Sequence, residues 1–343
     1  MKTPSWANPP PRGSGTLWED QHPPLVAIVG PTAAGKTTLS LHLAEALDSE
    51  IVSADSRQVY RGMDIGTAKA TSEEQVSVPH HLLDVVDPDQ VLSLAQYQAK
   101  AYEAVDGIVS RGRVPFLVGG TGQYVMAVLE GWQVPRVPPD EAVRRLLYRQ
   151  AEEEGAAALH ARLHALDPAA AGRIDARNVR RVVRALEVCL ATGRPISEQQ
   201  GRVPPPYRCL LVGLNLPRPD LYERIDARVD RMMSAGLEAE VRGLVAADYG
   251  FDLPAMSGVG YGQFAAYLAG EATLDEVVDK VKRATRRFVR QQGNWFRQQD
   301  SRIHWFEACP DPCSAVLDLV RDFIASSRVE EDRQSPWRFS EQE

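Results

Sequence analysis

The chain predicts an α/β fold: a parallel sheet flanked by helices around a glycine-bounded loop, with an all-helical domain inserted into it. Three observations carry that expectation. Short apolar runs alternate with helical patterns through the first half, as parallel strands joined by helical crossovers do. Those runs end in GPTAAGKT, ADS and GGTG, and ligand sites in such sheets form at the carboxyl ends of strands. After LEGWQVPRVPPD, residues 140–200 turn rich in Ala, Arg and Glu and contain no strand-like run.

Taken in order, LVAIVG (25–30) reads as a buried strand closed by glycine, and TTLSLHLAEAL (37–47) as the helix that follows. EIVSAD (50–55) is a second strand with a polar end. SLAQYQAKAYEAVDGIVSRG (93–112) has helical periodicity, and VPFLVGG (114–120) is a third strand. Residues 209–214 (CLLVGL) supply one more strand before further helices. Residues 1–22 and 328–343 are polar, Pro-containing and charged, and read as disordered tails. The core then comprises 23–130 and 203–327, and the helical insertion 131–202.

A net charge of −7 among 343 residues excludes a generally basic nucleic-acid coat protein but is compatible with a local basic face. No apolar run approaches the roughly 18 residues of a membrane span. Cys189, Cys209, Cys309 and Cys313 are too scattered for a disulfide framework, and CPDPC lacks the second pair of a zinc site. A reduced, cytoplasmic protein is expected.

Gly30, Pro31, Thr32, Ala33, Ala34, Gly35, Lys36 and Thr37 fit the P-loop pattern G-x-x-x-x-G-K-[ST], between a strand and a helix. Backbone N–H groups of such a loop wrap a phosphate at the positive end of the helix dipole. Lys36 bridges phosphate oxygens in this pattern, and Thr37 ligates Mg²⁺. A hydrolytic P-loop enzyme also needs an acid at the end of a neighbouring apolar strand. Here VPFLV ends in Gly119 and Gly120, and the strand-end acid nearby is Asp55. On residue type alone Asp55 can cap a helix, hold a metal's water or accept a proton. Thr121 can reach a phosphate or a substrate heteroatom, or close a turn. Arg224 and Arg228 share one helical face; alone, Arg228 reads equally as a surface arginine paired with Asp226 or Asp230. Two runs, 173–194 and 280–297, concentrate arginine and lysine, the second with no acid and with Trp295 and Phe296 interleaved. They form basic faces suited to phosphate contact.

GPTAAGKT, DSRQVYRGMDIGTAK, PHHLLDVVDP, GGTGQY, RNVRRVVRALEV with ATGRPISE, and RIDARVDRM occur in that order. The set, running from about residue 25 to residue 300, resembles the tRNA dimethylallyltransferase family, which acts on adenosine 37 of tRNAs reading codons beginning with U. The resemblance implies a transferase whose P-loop, residues 30–37, binds the diphosphate of dimethylallyl diphosphate with Mg²⁺ on Thr37; a monomer is expected. It implies that Asp55 contacts the N6 amine, that Thr121 stands beside the reacting centre and that Arg228 points at the diphosphate. It places Asp55, Ser56, Arg57, Gln58 and Thr121 against an extruded base, and Arg180, Arg181 and Arg184 of a helical insertion against the tRNA anticodon stem-loop. The chain departs from the family pattern at Gly262-Gln263, and Gly293 is expected to interrupt a late helix.

Overall fold

The computed structural model describes residues 22–326; the expected tails, His22 apart, lie outside the described residues. The strands are β1 (Pro24–Val29), β2 (Glu50–Ser53), β3 (His80–His81), β4 (Pro115–Val118), β5 (Trp132–Gln133), β6 (Gly201–Arg202), β7 (Arg208–Asn215) and β8 (Ile303–Glu307). Six of them form one sheet in the order β3-β2-β4-β1-β7-β8, parallel throughout. The central strand PLVAIV is buried at every position, which is why it reads as an unbroken apolar run rather than an alternating one. Ile28 pairs with both Val118 and Val212. That register sets the carboxyl ends of β1, β4 and β7 side by side.

The helices are α1 (Lys36–Ala46), α2 (Ser72–Ser77), α3 (Leu94–Ser110), α4 (Gly122–Leu129), α5 (Glu141–Glu153), α6 (Ala156–Leu166), α7 (Pro168–Arg173) and α8 (Val179–Thr192). They continue as α9 (Arg218–Ser234), α10 (Leu237–Ala246), α11 (Ala265–Leu268), α12 (Leu274–Gln292) and α13 (Cys313–Ala325). Thr71, Ser93 and Thr273 open α2, α3 and α12 with capping boxes, each hydroxyl accepting an N–H three residues on. One face of the sheet packs Val26, Ile28, Phe116, Leu210 and Val212 against Leu39 and Leu43 of α1 and Val316 and Val320 of α13. The late helix α12 ends at Gln292, so Gly293 is its C-cap and no interior glycine weakens it. The short strands β3, β5 and β6 and the strand β8 were not among the expected elements.

Two compact units divide the chain, Glu130–Pro204 and the remainder. The Glu130–Pro204 unit packs Leu147, Leu159, Leu163, Val182, Val183 and Leu186 into its own core. The buried Glu187 carboxylate accepts from Arg144 (2.9 Å), Arg184 (2.6 Å) and the Asp140 N–H (2.8 Å). The antiparallel pair β5–β6 joins the two ends of the unit, and Val203 N–H donates to the Gly131 carbonyl at 2.9 Å.

In the sheet-bearing unit a second carboxylate, Glu50, is 2% exposed at the start of β2. It accepts from Arg111 (2.6 Å), His81 (2.7 Å) and Arg113 (3.1 Å). Burial pushes its pKa up, but the hydrogen bonds from Arg111, His81 and Arg113 outweigh that and hold it at about 2, against an ordinary 4.5. The stability it contributes is therefore fully present above about pH 4.5 and is lost as pH falls toward about 2. That contribution amounts to about 3 kcal/mol. Urea titrations across this window should show the loss in the parent chain and a flatter profile in Glu50→Gln; matching profiles would disprove the assignment.

Candidate active site

The loop after β1 is shaped by close approaches. Gly30 has φ +146°, and a Cβ there would lie 2.6 Å from the Leu214 carbonyl oxygen at the end of β7. Gly35 takes a left-handed conformation (φ 97°) and turns the chain into α1 at Lys36. Ala33 also has positive φ (70°), a strain that a packed loop tolerates and an isolated one does not. Lys36 Nζ donates to the Gly30 and Pro31 carbonyls at 3.0 and 2.9 Å. Burial, helped by the positive charge of Arg228 and opposed by Asp55, lowers the Lys36 pKa to about 8. The guanidinium of Arg224 stands over Gly35, 4.0 Å from where a Cβ would sit.

The loops after β2 and β4 interlock. A Cβ on Gly119 would lie 2.1 Å from the Ala54 carbonyl oxygen, so only glycine lets the two strand ends lie this close. Thr121 N–H donates to the Ala54 carbonyl (3.2 Å), and Thr121 Oγ1 accepts the Ser56 N–H at 3.0 Å. Asp55 Oδ1 accepts the Arg57 N–H at 2.8 Å, an Asx turn that aims the carboxylate beyond the end of β2. Beneath it the rings of Tyr97 and Tyr124 stack with centroids 3.6 Å apart. Burial raises both phenols; for Tyr97 the neighbouring Tyr124 and Asp55 add to it, and for Tyr124 Tyr60 and Asp55 do.

Arg228 enters from α9. Its ordinary surface partners are taken: Asp226 pairs with Arg286 and Asp230 with Lys282 (2.6 Å) of α12. Burial lowers the Arg228 pKa, with Asp55 opposing, and its guanidinium donates to the Thr67 carbonyl at 3.4 Å. The segment carrying Thr67 is held by Glu240, which accepts the Asp64, Ile65 and Gly66 N–H groups at 3.0, 2.7 and 3.1 Å. Tyr261 completes that clamp by donating to Glu240 at 2.7 Å. Asp55, Lys36 and Arg228 thus lie close together at the carboxyl edge of the sheet, with Thr121 bonded to the residue after Asp55.

The other sequence-predicted positions divide. Arg57 donates to the Pro254 (2.7 Å) and Ala255 (3.2 Å) carbonyls, and Gln58 accepts from Ser53 Oγ (2.9 Å) while donating to the Ala68 carbonyl (3.1 Å). Both brace the loop that bears Asp55. On α8, Arg180 and Arg181 are exposed, whereas Arg184 is engaged by Glu187 and the Val137 carbonyl. On α12, Lys280, Arg283, Arg287 and Arg290 are exposed, and Lys282 and Arg286 are the two bases neutralised by α9. Trp295 is 42% exposed, but Phe296, expected beside it on the basic face, is buried at 5%.

The described residues contain no group of three or more His, Cys, Asp or Glu that could hold a metal. The exposed Thr37 hydroxyl at the first turn of α1 fits the other arrangement for Mg²⁺, a few protein oxygens with the rest from phosphate and water. Sequence reasoning overlooked Gln292. It lies on the buried stripe of α12 with Val277, Val281, Thr285 and Val289, and a polar amide in an apolar stripe was the available signal.

Residues 58–299 match the family model described as IPP transferase. The tRNA dimethylallyltransferase of Roseiflexus castenholzii is 57% identical over 304 residues, 89% of this chain and 99% of that protein. That of Dehalococcoides mccartyi is 47% identical, covering 90% and 94%. Among solved structures, the tRNA isopentenylpyrophosphate transferase of Bacillus halodurans superposes with a TM-score of 0.66 at 40% identity, covering 89% of this chain and 98% of that one. A eukaryotic dimethylallyltransferase acting on tRNA reaches 0.75 at 24% identity, covering 89% and 80%, a likeness of fold. A phosphate loop facing a strand-end carboxylate, and relatives of this identity along nearly the whole chain, lead to one conclusion: the chain belongs to the IPP transferase family, among its tRNA dimethylallyltransferases.

Proposed function

We propose that this protein transfers the dimethylallyl group of dimethylallyl diphosphate to N6 of adenosine 37 in tRNAs that read codons beginning with U, releasing diphosphate. The observation that carries the reading is the meeting of Lys36 and Arg228 with Asp55, two cations facing one carboxylate at a phosphate loop. Strand β4 ends in glycines rather than in the acid that a triphosphate-splitting enzyme uses, so the loop holds a leaving group.

The chemistry follows from that division of charge. The N6 lone pair is delocalised into the adenine ring, so the amine is a weak nucleophile. As N6 bonds to the allylic carbon, the carbon–oxygen bond breaks and its electron pair leaves on the diphosphate. N–H groups of the phosphate loop other than those of Thr32 and Ala34, which bond within the protein, stabilise that growing charge together with Lys36 and Arg228. Asp55 takes the N6 proton. Thr121 fixes the Asp55 loop through Ser56 and presents its hydroxyl to the reacting centre. Thr37 would hold a Mg²⁺ ion, which when bound neutralises diphosphate charge.

Base extraction from the stacked anticodon loop costs a few kcal/mol, which phosphate contacts along Arg180 and Arg181 of α8 and along α12 offset. The same reading has the enzyme act as a monomer in the cytoplasm; no helix among the described residues is long and apolar enough to cross a membrane. The direct test is incubation with unmodified tRNA, Mg²⁺ and radiolabelled dimethylallyl diphosphate. Label in adenosine 37 is the expected result. Unlabelled tRNA, with ATP consumed when small acceptors are offered, would replace this reading with a small-molecule kinase.

A further inference from the structure

Gln292 joins two loops far from it in sequence. Its Oε1 accepts the Thr32 N–H of the phosphate loop at 2.9 Å, and its Nε2 donates to the Gly120 carbonyl of the loop after β4 at 3.0 Å. Gln292 is 5% exposed; its bond to Gly120 is buried and its bond from Thr32 half-buried. Its seat is shaped for it: a Cβ on Gly120 would lie 2.3 Å from Nε2. The Thr32 N–H is one of the amides that shape the phosphate loop, and Gly120 precedes Thr121. One amide therefore sets the spacing between the loop that holds the diphosphate and the loop that flanks Asp55.

The same residue is the last of α12. Arg287 and Arg290 lie exposed within the last two turns before it, and Arg290 donates to Tyr222 Oη of α9 (3.3 Å), the helix that carries Arg224 and Arg228. A helix of this length moves as a rod, so phosphates engaged along its basic face fix the position of its final turn.

We infer that Gln292 is a positioning residue that couples the basic face of α12 to the phosphate loop, so that tRNA bound on α12 tightens the grip on the diphosphate. This rests on the tRNA-dimethylallyltransferase reading above. Binding couplings of this kind fall in the range of about 5- to 150-fold, and they are reciprocal.

The experiment is calorimetric titration of inorganic diphosphate with Mg²⁺ into the full chain, with and without an unmodified tRNA anticodon stem-loop. It is done on the parent, Gln292→Ala, Gln292→Glu and, as a neighbouring control, Gln291→Ala. The stem-loop should tighten diphosphate at least 5-fold in the parent and in Gln291→Ala. Gln292→Ala should bind diphosphate roughly 10-fold more weakly alone, and its coupling ratio should fall to about 1. Gln292→Glu keeps the acceptor for Thr32 but sets a carboxylate against the Gly120 carbonyl, and should lose the coupling likewise while remaining folded by circular dichroism. A coupling ratio in both Gln292 variants equal to that of the parent would overturn the inference and leave the functional reading standing. A parent that binds neither diphosphate nor stem-loop would overturn both.

Discussion

Replacing Asp55 with alanine is expected to lower the transfer rate by about 10²- to 10⁴-fold, the usual contribution of a general base. The tRNA dissociation constant should change far less, because the exposed cations of α8 and α12 remain. The proposed function gives the carboxylate a second role besides the one in the fold. Through Oδ1 it closes the turn at Arg57, and the proposed reaction has it take the N6 proton. Asn at this position keeps an acceptor for the turn and lacks a basic oxygen. Asp55→Asn should therefore fold and bind tRNA like the parent while transferring as slowly as Asp55→Ala. Single-turnover rates at saturating tRNA read the difference. A parent-like rate in Asp55→Asn would mean that the residue serves the turn alone and that the proton leaves by another route.

The second large effect belongs to Lys36. Hydrogen bonds to charged groups contribute about 1.5–3 kcal/mol, so Lys36→Met should weaken diphosphate binding roughly 10- to 100-fold and lower kcat as well. A signature in pH accompanies it. With burial the main cause holding the ammonium at about 8, a rise in pH through that value removes the charge proposed to meet the diphosphate. The kcat/KM for dimethylallyl diphosphate, which reports the free enzyme, should accordingly fall as pH rises through about 8. The sign follows from the protonated form being the one that binds. In Lys36→Met the fall should vanish along with most of the activity. Persistence of the bend in that variant would assign it to a different group.

What was legible in the sequence was what local pattern encodes. Buried parallel strands are continuous apolar runs, so β1, β2, β4 and β7 stood out, as did GPTAAGKT, whose glycines are forced by the nearby Leu214 carbonyl and the turn into α1. The strand β8 was missed because IHWFE, at a sheet edge, is neither a continuous apolar run nor a strict alternation, with His304 and Glu307 exposed. The two-residue strand β3 is too short to carry any period. Asp55 was legible as a strand-end acid, but its role was not: that depends on Arg228 and Lys36 arriving from α9 and α1. The charge runs misled in detail, because Arg184 is taken by Glu187 one turn on, and Lys282 and Arg286 find acidic partners on α9 that linear sequence does not pair with them. Gln292 could be noticed as a polar amide in an apolar stripe, but its partners, 260 and 172 positions away, could not be read from the sequence.

The β5–β6 ribbon has a consequence for how this family can vary. The chain leaves the sheet after α4 and returns to it before β7 through one doorway, where residues 131 and 203 are joined by a single hydrogen bond. Loop closure is settled at that doorway, so insertions or deletions between residues 134 and 200 leave the strand register, and with it the cleft, undisturbed. The helical unit can therefore lengthen, shorten or be reshaped while the sheet is inherited intact.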